Sequence, residues 1–434
     1  MPTPSLLIVP ARFKSGKLYS QLPTSGAGDF TVTRATNATR VNASGLIESV
    51  ASGIPRLDYF ASGGTVGCPA LLVEPSGSNL VFHSSDWTSN WNAGTASGTT
   101  VVTNSAISLA PDGTATANEI YPTSGNTNHV RTSNSTTAVT YVSGTVYTQS
   151  AFFKAGIGVG IQVQLNNPAA RFAQSGYANF DLIAGTVLVV SGTTADTNRA
   201  ARIENYGNGW YRCSYTATCT LGGTGVGVIA NLISASGDTR APSFSGTVTD
   251  YLLGWGAQLE TGSVATSYIP TTAAAVTRNA DVVLVTGAVS GSIGQTQGTI
   301  YAEVDARNFT VNSRLISISN GTQSNRITTF FFGTNAIRLL ATVAGAGQVS
   351  ITSPSLSAGI IKLAIGYALN DYAFYVNGVQ AGTSASALVP ACNAVILGSV
   401  DSLTGLAVMN DRILAAALYT TRLSNAELAA LTSL

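Results

Sequence analysis

The stretch LNDYAFYVNGVQAG, residues 369–382, decides the fold class of this chain. Tyr372, Phe374 and Val376 stand at every second position, which is the period of a strand that buries one face. Asn377 and Gly378 follow them, and this pair accepts the left-handed backbone of a two-residue hairpin turn. The stretch therefore predicts two antiparallel strands joined by a tight turn.

Similar short apolar segments recur along the rest of the chain, about every 8 to 14 residues, as in sandwiches and barrels. Glycines, 45 in all, together with Asn and Ser, separate them. The C-terminal end differs, because Ser424 stands three residues before Glu427 in a capping-box pattern and is followed by Leu428 and Leu431 at helical spacing. We expect an all-β protein of two antiparallel β-sandwiches with a short C-terminal helix.

Two composition changes suggest a division into three parts. Near residue 82 a turn-rich first part gives way to HSSDWTSNW, and near residue 283 the stretch YIPTTAAAVTRNADVV reads as a linker. We therefore predict a small irregular or β leader at 1–82, a middle sandwich at 83–283 and a C-terminal sandwich at 284–434.

The charge balance excludes several classes of partner. The chain has 21 Lys and Arg against 20 Asp and Glu, so no net field attracts nucleic acid or anionic lipid. No apolar stretch approaches the roughly 20 residues of a membrane helix, and the N-terminus lacks the basic start of a secretory signal. We expect a soluble cytosolic chain with no membrane insertion, and its four cysteines to be buried free thiols rather than a disulfide framework.

The leader concentrates arginine among Asn, Ser and Gly, at Arg34, Arg40 and Arg56. In one interpretation these guanidiniums brace a segment too poor in apolar residues to fold by packing, by binding backbone carbonyls and carboxylates. The carboxylates expected to serve are Glu48, Asp58 and Glu74. In the other, the arginines contact a neighbouring subunit or an acidic partner. Arg278 in VTRNADVV echoes VTRATNATRV, which suggests the same use at a second border.

Few residues of this chain suit catalysis or metal binding. The two histidines, His83 and His129, lack ligand or nucleophile partners at suitable spacing, which argues against zinc and against Cys-His or Ser-His-Asp chemistry. Glu303 and Asp305 share one face of a strand, as a glycosidase pair could. We interpret them as solvated carboxylates instead, because Ala302, Val304 and Ala306 more simply form the core face.

Calcium and other cofactors are likewise not predicted. Asp371 and Asp401 are loop carboxylates of the kind that can bind calcium at a sandwich rim, but no Asp-rich ligand run accompanies them.

Sugar recognition uses exposed aromatic faces flanked by hydrogen-bonding side chains. Strand alternation in NGWYRCSYTATC puts Tyr211 on the core face and Trp210 and Arg212 on the opposite face. Trp210 could there contact a ligand, a subunit or a covering loop, so Trp210 and Arg212 are candidates for glycan binding. Trp87 and Trp91 are further candidates, although plugging the end of the sandwich is the preferred interpretation. Trp255 shares a predicted face with Leu253, Ala257 and Leu259 and is expected in the core.

Several strings also resemble known proteins. The leader resembles a module of tailed-phage virion proteins through TRATNATRVNASGLIE, GIPRLDY and CPALLVEPSGSNL. The middle third resembles a carbohydrate-binding-module type of jelly roll through YTQSAFFKAG, NFDLIAGTV, YGNGWYRCSY and WGAQLETGSVATSYIPTTAAAVTRNAD. The last third looks like a concanavalin A or laminin-G-like sandwich through YVNGVQAG and RLSNAELAAL.

The resemblance implies a bacteriophage virion component that carries glycan-binding-type folds, without implying that a glycan is bound. Together with the lack of a catalytic group of residues, it leads us to expect a non-enzymatic, oligomeric tail fibre or surface appendage, with a trimer favoured, that contacts other virion proteins and contributes to adhesion to host-surface glycan. The expected location is the virion, after assembly in the host cytoplasm and release by lysis. A purely architectural capsid-decoration, tail or collar protein is the first alternative, and a polysaccharide depolymerase is the second. Fold alone does not decide among them.

Overall fold

The structure is a computed structural model that describes residues 2–60, 67–92, 98–134, 137–164, 172, 176–191, 198–398 and 408–434. It consists almost entirely of antiparallel strands with one short C-terminal α-helix, which confirms the predicted fold class. None of the helices among these residues is long and apolar enough to span a membrane.

The strands are mostly short. Those of the leader are β1 (Leu6–Ile8), β2 (Phe13–Lys14), β3 (Lys17–Leu18), β4 (Phe30–Thr33), β5 (Ala38–Val41), β6 (Ile47–Val50), β7 (Leu57–Asp58), β8 (Ala70–Val73) and β9 (Gly77–Asn79). Those of the middle part are β10 (Trp91–Asn92), β11 (Thr99–Val102), β12 (Asn118–Pro122), β13 (Asn126–Asn128), β14 (Val130–Ser133), β15 (Val139–Tyr141), β16 (Val146–Ile157), β17 (Gly160–Gln164), β18 (Tyr177–Asp181), β19 (Thr186–Ser191), β20 (Ala200–Asn205), β21 (Trp210–Thr218), β22 (Gly223–Gly225), β23 (Ile229–Ile233), β24 (Ser243–Ser245), β25 (Tyr251–Thr261) and β26 (Val276–Arg278).

The last part contains longer strands, a 3₁₀ turn at Ala288–Ser292 and the helix. Its strands are β27 (Val282–Thr286), β28 (Gln297–Ala306), β29 (Arg314–Ser319), β30 (Arg326–Phe332), β31 (Ala336–Val343), β32 (Ala346–Thr352), β33 (Gly359–Ala368), β34 (Asp371–Val376), β35 (Val379–Ser384), β36 (Ala394–Leu397) and β37 (Asp411–Tyr419), and the helix is α1 (Asn425–Thr432).

The C-terminal sandwich consists of two large sheets. One has the order β35-β34-β33-β28-β37-β8-β7, with β1 also paired to β37, and the other has the order β2-β3-β4-β27-β36-β29-β30-β31-β32. The predicted inward residues Tyr372, Phe374 and Val376 lie in the core between them. Asn377 and Gly378 have φ angles of 48° and 79°, as the two-residue turn requires. The predicted hairpin is confirmed.

Most leader strands belong to this C-terminal sandwich. Strand β4 pairs with β27, with Val32 opposite Val283, and β8 pairs with β37, with Leu71 opposite Ile413. Strands of two to four residues cannot bury a core by themselves, so they extend sheets whose other strands come from the opposite end of the chain. The expected border between residues 283 and 284 accordingly falls inside β27.

The central sandwich has two six-stranded sheets, with the orders β10-β14-β23-β17-β18-β19 and β11-β12-β25-β16-β21-β20. Their inner faces meet in a core that includes Trp87, Phe153 and Tyr215. Two-stranded ribbons, β13-β24 and β15-β22, accompany them, while β9 of the leader pairs with β26. These sheets form the second of the two predicted sandwiches.

A β-bulge in β25 changes which residues face the core. The extra residue lies at Gly256, whose φ is 61°, and a bulge inverts the alternation that follows it. Leu253 and Trp255 therefore face outward, while Ala257 and Leu259 face the inner core. Trp255 is buried, as predicted, but it does not share a face with Ala257 and Leu259.

A second apolar layer covers the outer face of the β25-β16-β21 sheet. Its members come from the leader and the middle part and are Ile47, Ala110, Ala117, Phe152, Trp210, Leu253, Trp255 and Tyr268. Ile47 belongs to the leader hairpin β5-β6, so the leader covers the central sandwich as well as extending the C-terminal one. This sheet is therefore buried on both faces.

The helix α1 covers the outer face of the eight-stranded sheet. The Ser424 hydroxyl accepts the Glu427 backbone N–H, and the Glu427 carboxylate accepts the Ser424 N–H at 2.8 Å. Leu428 is buried in a small cluster with Tyr301 and Tyr375 of that sheet. The predicted helix and its capping box are confirmed.

The four cysteines are free thiols, in line with the sequence analysis. Cys213, Cys219 and Cys392 are buried, and burial raises the pKa of Cys392 to about 12. Cys68, however, is exposed. Its position beside β8 puts it outside the core that the apolar strand residues form.

Candidate functional site

A buried cluster of five charged side chains joins the leader to the segment that follows the central sandwich. Its members are Arg34, Arg56, Glu74, Arg278 and Asp281, each at most 3% exposed. Arg56 Nη1 lies 2.6 Å from Glu74 Oε2, and Arg56 Nη2 bonds Asp281. Arg34 Nη1 lies 2.9 Å from Asp281 Oδ1, and Arg278 Nη2 lies 3.5 Å from Glu74 Oε2. We call this group the leader cluster.

The leader cluster is also bonded to the backbone. Arg34 Nη2 donates to the Ala51 carbonyl at 2.7 Å, and Arg278 Nη2 donates to the Pro75 carbonyl at 2.8 Å. Planar guanidinium forks suit such directional contacts. The internal bracing contacts expected for Arg34 and Arg56 are thus present, and Arg278 joins the same cluster. Contacts of these arginines with a neighbouring subunit stay a prediction.

The electrostatics of the leader cluster favour the ionised forms of Glu74 and Arg56, whereas burial lowers the pKa of Arg34. Burial by itself would raise the pKa of Glu74, but the charges of Arg56 and Arg278 and a hydrogen bond from Ser267 outweigh it. The pKa of Glu74 consequently lies well below its ordinary value. Burial would likewise lower the pKa of Arg56, yet Asp281 and Glu74 raise it.

The other two acids that the sequence analysis named have different partners. Glu48 Oε1 lies 2.7 Å from Arg40 Nη2, across the hairpin β5-β6. Asp58 Oδ2 lies 2.5 Å from Nε of Arg412, a residue that the sequence analysis did not name. Asp281 was not predicted either, although it stands in the same VTRNAD string that pointed to Arg278.

The tryptophans proposed for glycan binding are buried. Trp210 is 2% exposed and donates from Nε1 to the Leu109 carbonyl at 2.9 Å. The predicted alternation along β21 holds, and the outward face is covered by the second apolar layer. Of the contacts that the sequence left open for Trp210, the structure therefore shows a cover from its own chain, which leaves no exposed ring face for a glycan. Trp87 and Trp91 stack with ring centroids 4.5 Å apart in the inner core, as the preferred plugging interpretation requires.

A groove of about 450 Å³ lies between the central and C-terminal sandwiches. The charged and aromatic residues that line it are Phe60, Arg202, Glu204, Tyr211, Asp305 and Arg307. Two guanidiniums lie over the Phe60 ring, with the Cζ atoms of Arg307 and Arg412 at 4.8 and 4.9 Å from its centroid. Arg307 Nη2 lies 2.6 Å from Asp305 Oδ2. We call this the outer groove.

The outer groove adjoins a smaller inner cavity of about 40 Å³. The walls of both include Arg202, Glu204 and Arg307. Arg212, the remaining predicted glycan-binding residue, is 3% exposed and lines the inner cavity rather than the surface. Its guanidinium stacks on Phe152, with Cζ 5.3 Å from the ring centroid.

The sequence analysis did not find the outer groove. Phe60 follows β7 of the leader, Tyr211 lies on β21, and Asp305 lies on β28, so three distant segments meet there. Alternation assigned Tyr211 to the core, where it is only partly buried. The one sequence signal was the candidate Arg212, which lines the adjoining inner cavity and directly follows Tyr211 in the chain.

The described residues contain no group of three or more His, Cys, Asp or Glu side chains placed to hold a metal. Ala302, Val304 and Ala306 form the core face of β28, as predicted, and Glu303 and Asp305 face the other way. The Tyr301 hydroxyl donates to Glu303 at 3.1 Å. Asp371 Oδ1 lies 2.9 Å from Arg422 Nη2, and Asp401 lies outside the described residues.

No protein-family model matches this chain, and neither does any curated protein. Among solved structures, the CBM40 of the Ruminococcus gnavus IT-sialidase bound to α2,3-sialyllactose is 18% identical over 34% of this chain and 88% of that one, with a TM-score of 0.31. Domain 4 of a GH43 arabinanase from Geobacillus stearothermophilus is 12% identical over 39% and 82%, with a TM-score of 0.29. A heptameric SAP-like pentraxin from Limulus polyphemus is 15% identical over 31% and 68%, with a TM-score of 0.25. The architecture described above rests on strand pairing and not on these likenesses.

Proposed function

We propose that this chain is a glycan-binding structural protein of a tailed-bacteriophage virion, and that the outer groove is its binding site. The observation that carries the binding proposal is the outer groove itself, where two aromatic rings stand among guanidiniums and carboxylates. Its volume falls in the range of about 300–1,000 Å³ typical of ligand sites. The virion context is supported by the leader strings that resemble a phage module.

The chemistry of the groove suits a carbohydrate. Pyranose C–H groups pack on aromatic faces such as that of Tyr211, while hydroxyls bond charged and amide side chains such as Glu204 and Asn205. A single open groove of this kind binds weakly. Weak sites become effective when several copies act on one surface, which fits the proposed oligomeric, trimeric appendage such as a tail fibre.

The binding proposal is tested with the purified full chain on a glycan array. Tyr211→Ala removes a ring from the groove and is expected to weaken binding at least about tenfold, equivalent to 1.4 kcal/mol. The matched control is Tyr121→Ala, because Tyr121 is a half-buried tyrosine of the same sheet on β12, at the edge opposite β20 and β21. Equal loss in both variants, or none in Tyr211→Ala, would contradict the assignment of the groove.

The virion placement and the assembly state need separate measurements. Antibody labelling of intact virions in electron microscopy is expected to mark the tail or another surface appendage. Light scattering of the purified chain is expected to give the mass of a trimer. A label found only on unassembled protein, or a strictly monomeric chain, would contradict the appendage proposal.

A purely architectural role is the second candidate. It is favoured by the burial of Trp87, Trp91, Trp210 and Trp255, since all four tryptophans serve packing. Under this alternative, the label marks the head or collar and neither host cells nor their glycans bind the protein.

We also propose that the chain breaks no bonds. The acids of the groove are engaged by arginine, with Asp305 bonded to Arg307 and Glu204 Oε1 4.0 Å from Arg202 Nη1, whereas a glycosidase needs one carboxyl free to carry a proton. Reducing-end release from host polysaccharide is the measurement that would overturn this and support a depolymerase.

A further inference from the structure

The inner cavity has an unusual wall for so small a space. Eight of its lining residues carry charge, five arginines and three acids: Arg40, Arg202, Arg212, Arg307, Arg412, Asp58, Glu74 and Glu204. Arginine and carboxylate are rarely buried unless paired. The partners of each therefore decide whether the cavity has binding capacity left.

The three acids already have guanidinium partners. Asp58 lies 2.5 Å from Arg412, and Glu74 lies 2.6 Å from Arg56. Glu204 has only a longer contact of 4.0 Å with Arg202. No lining acid is thus left over for the remaining lining arginines.

Arg212 is the lining arginine with neutral partners. It donates to the Thr266 carbonyl at 2.6 Å and to the Ser150 hydroxyl at 3.0 Å, and its Nε is buried without a partner. The acid that acts on it electrostatically, Glu260, is bonded by Thr266 and Gln258, and burial raises the pKa of Glu260.

Arg40 offers a second unpartnered nitrogen to the same cavity. Its Nε and Nη2 bond Glu48, both at 2.7 Å, but its Nη1 is buried and has no hydrogen-bond partner. Two arginines that line one cavity, Arg40 on β5 of the leader and Arg212 on β21 of the central sandwich, thus each carry a buried nitrogen without a hydrogen-bond partner. Such donors call for an acceptor.

We propose that the inner cavity binds a carboxylate-sized monovalent anion, and that its source is the acidic group of a sugar held in the outer groove. The ligand class is therefore an acidic glycan, an inference that rests on the proposed glycan-binding function. A volume of about 40 Å³ holds roughly three water-sized centres at about 10–15 Å³ each. A carboxylate has three heavy atoms, and guanidinium forks bind it through paired hydrogen bonds.

A free small anion is the other possible source of the same chemistry, and two measurements on the full chain separate them. The first is thermal unfolding in sodium formate, with sodium sulfate at equal ionic strength as the control for an anion too large for the cavity. Formate is expected to raise the melting temperature in a saturable way that sulfate does not match. No formate-specific rise would overturn the proposal.

The second measurement is an array that carries uronate-containing oligosaccharides beside their carboxyl-reduced counterparts. At least tenfold preference for the carboxylate forms is expected. Equal binding of both forms would overturn the acidic-glycan assignment and leave the proposed function intact. A formate effect without binding of any glycan would overturn the proposed function and make a free anion the occupant.

Variants locate the site. Arg212→Gln and Arg40→Gln are expected to raise the half-saturating formate concentration at least tenfold. Arg12→Gln, the same charge change at an exposed position, is expected to leave that concentration unchanged. Arg40→Gln keeps the test valid if Arg212→Gln fails to fold, because the Arg40 side chain is only partly buried, with 16% of it exposed. An unchanged formate response in Arg40→Gln would overturn the site.

Discussion

The leader cluster and the seam between the sandwiches both bury charge, but they balance it differently. We use seam for the walls of the inner cavity other than Glu74, which belongs to the leader cluster, together with Asp411, whose neighbours Asn410 and Arg412 line that cavity. In the leader cluster, each guanidinium has a carboxylate within 4.0 Å. In the seam, no carboxylate of the described residues lies within 4.0 Å of the Arg212 guanidinium. The hydrogen bonds that the Asp411 carboxyl accepts from the described residues come from backbone N–H groups, of Arg307 at 2.9 Å and Asn308 at 3.3 Å.

The contrast shows in the two buried acids. The pKa of Glu74 lies well below its ordinary value because arginines outweigh the effect of burial. Burial raises the pKa of Asp411 to about 7, although two backbone hydrogen bonds and Arg412 oppose it. Matched charges therefore hold the leader to the rest of the fold at any ordinary pH, whereas unmatched ones make the seam responsive to protons and anions.

The largest effect is expected from breaking the leader cluster. Arg56→Ala leaves Glu74 and Asp281 buried without their central cation, which typically destabilises a protein by about 3–5 kcal/mol. Urea unfolding at pH 7 measures it, with the exposed Arg12→Ala as the control for loss of one arginine. A loss below about 1 kcal/mol, or an equal loss in the control, would show that the cluster is not what holds the leader.

The next effect is the pH response of the seam. Folded Asp411 keeps its proton to about pH 7, while the unfolded chain releases it near pH 4, so its contribution to stability is full below pH 4 and is lost as the pH rises to 7. The free energy of unfolding is expected to fall by up to about 3 kcal/mol over that window. Asp411→Asn is expected to remove this part of the slope.

Unfolding of the native chain and Asp411→Asn is compared at matched pH values from 4 to 8. Because other groups titrate alike in both proteins, the difference between the two curves isolates the carboxyl. Parallel curves would mean that the Asp411 carboxyl has an ordinary pKa, which would contradict the proposed difference between Asp411 and Glu74.

A smaller effect is expected when the unmatched arginine is replaced. Arg212→Met keeps the apolar stem that packs on Phe152 and leaves no carboxylate unpaired, only the Thr266 carbonyl and the Ser150 hydroxyl. Hydrogen bonds to charged groups contribute about 1.5–3 kcal/mol and an apolar replacement returns part of that, so a loss of about 1–2 kcal/mol is expected. A loss as large as that of Arg56→Ala would erase the distinction between the two regions.

The sequence predicted local features far better than the seam. The 369–382 hairpin and the helix cap depend on neighbouring residues, so alternation and spacing were sufficient to find them. Trp210 shows where such reasoning stops, because alternation gave its face correctly but could not reveal the layer that Ile47 and Tyr268 help to build over it. The outer groove was missed for the same reason. Its residues meet only after the leader strands have paired with the far end of the chain.

The smallest effect is expected from the surface pair Arg40 and Glu48. Their side chains are 16% and 36% exposed, and solvent-exposed ion pairs contribute only about 0.2–1 kcal/mol. A double-mutant cycle with Arg40→Ala and Glu48→Ala, measured by urea unfolding, is expected to give a coupling energy in that range, shrinking in high salt. A coupling energy as large as that between Arg56 and Glu74 would contradict this expectation. It would mean that an arginine-carboxylate pair in contact with water stabilises the leader as strongly as a buried pair does.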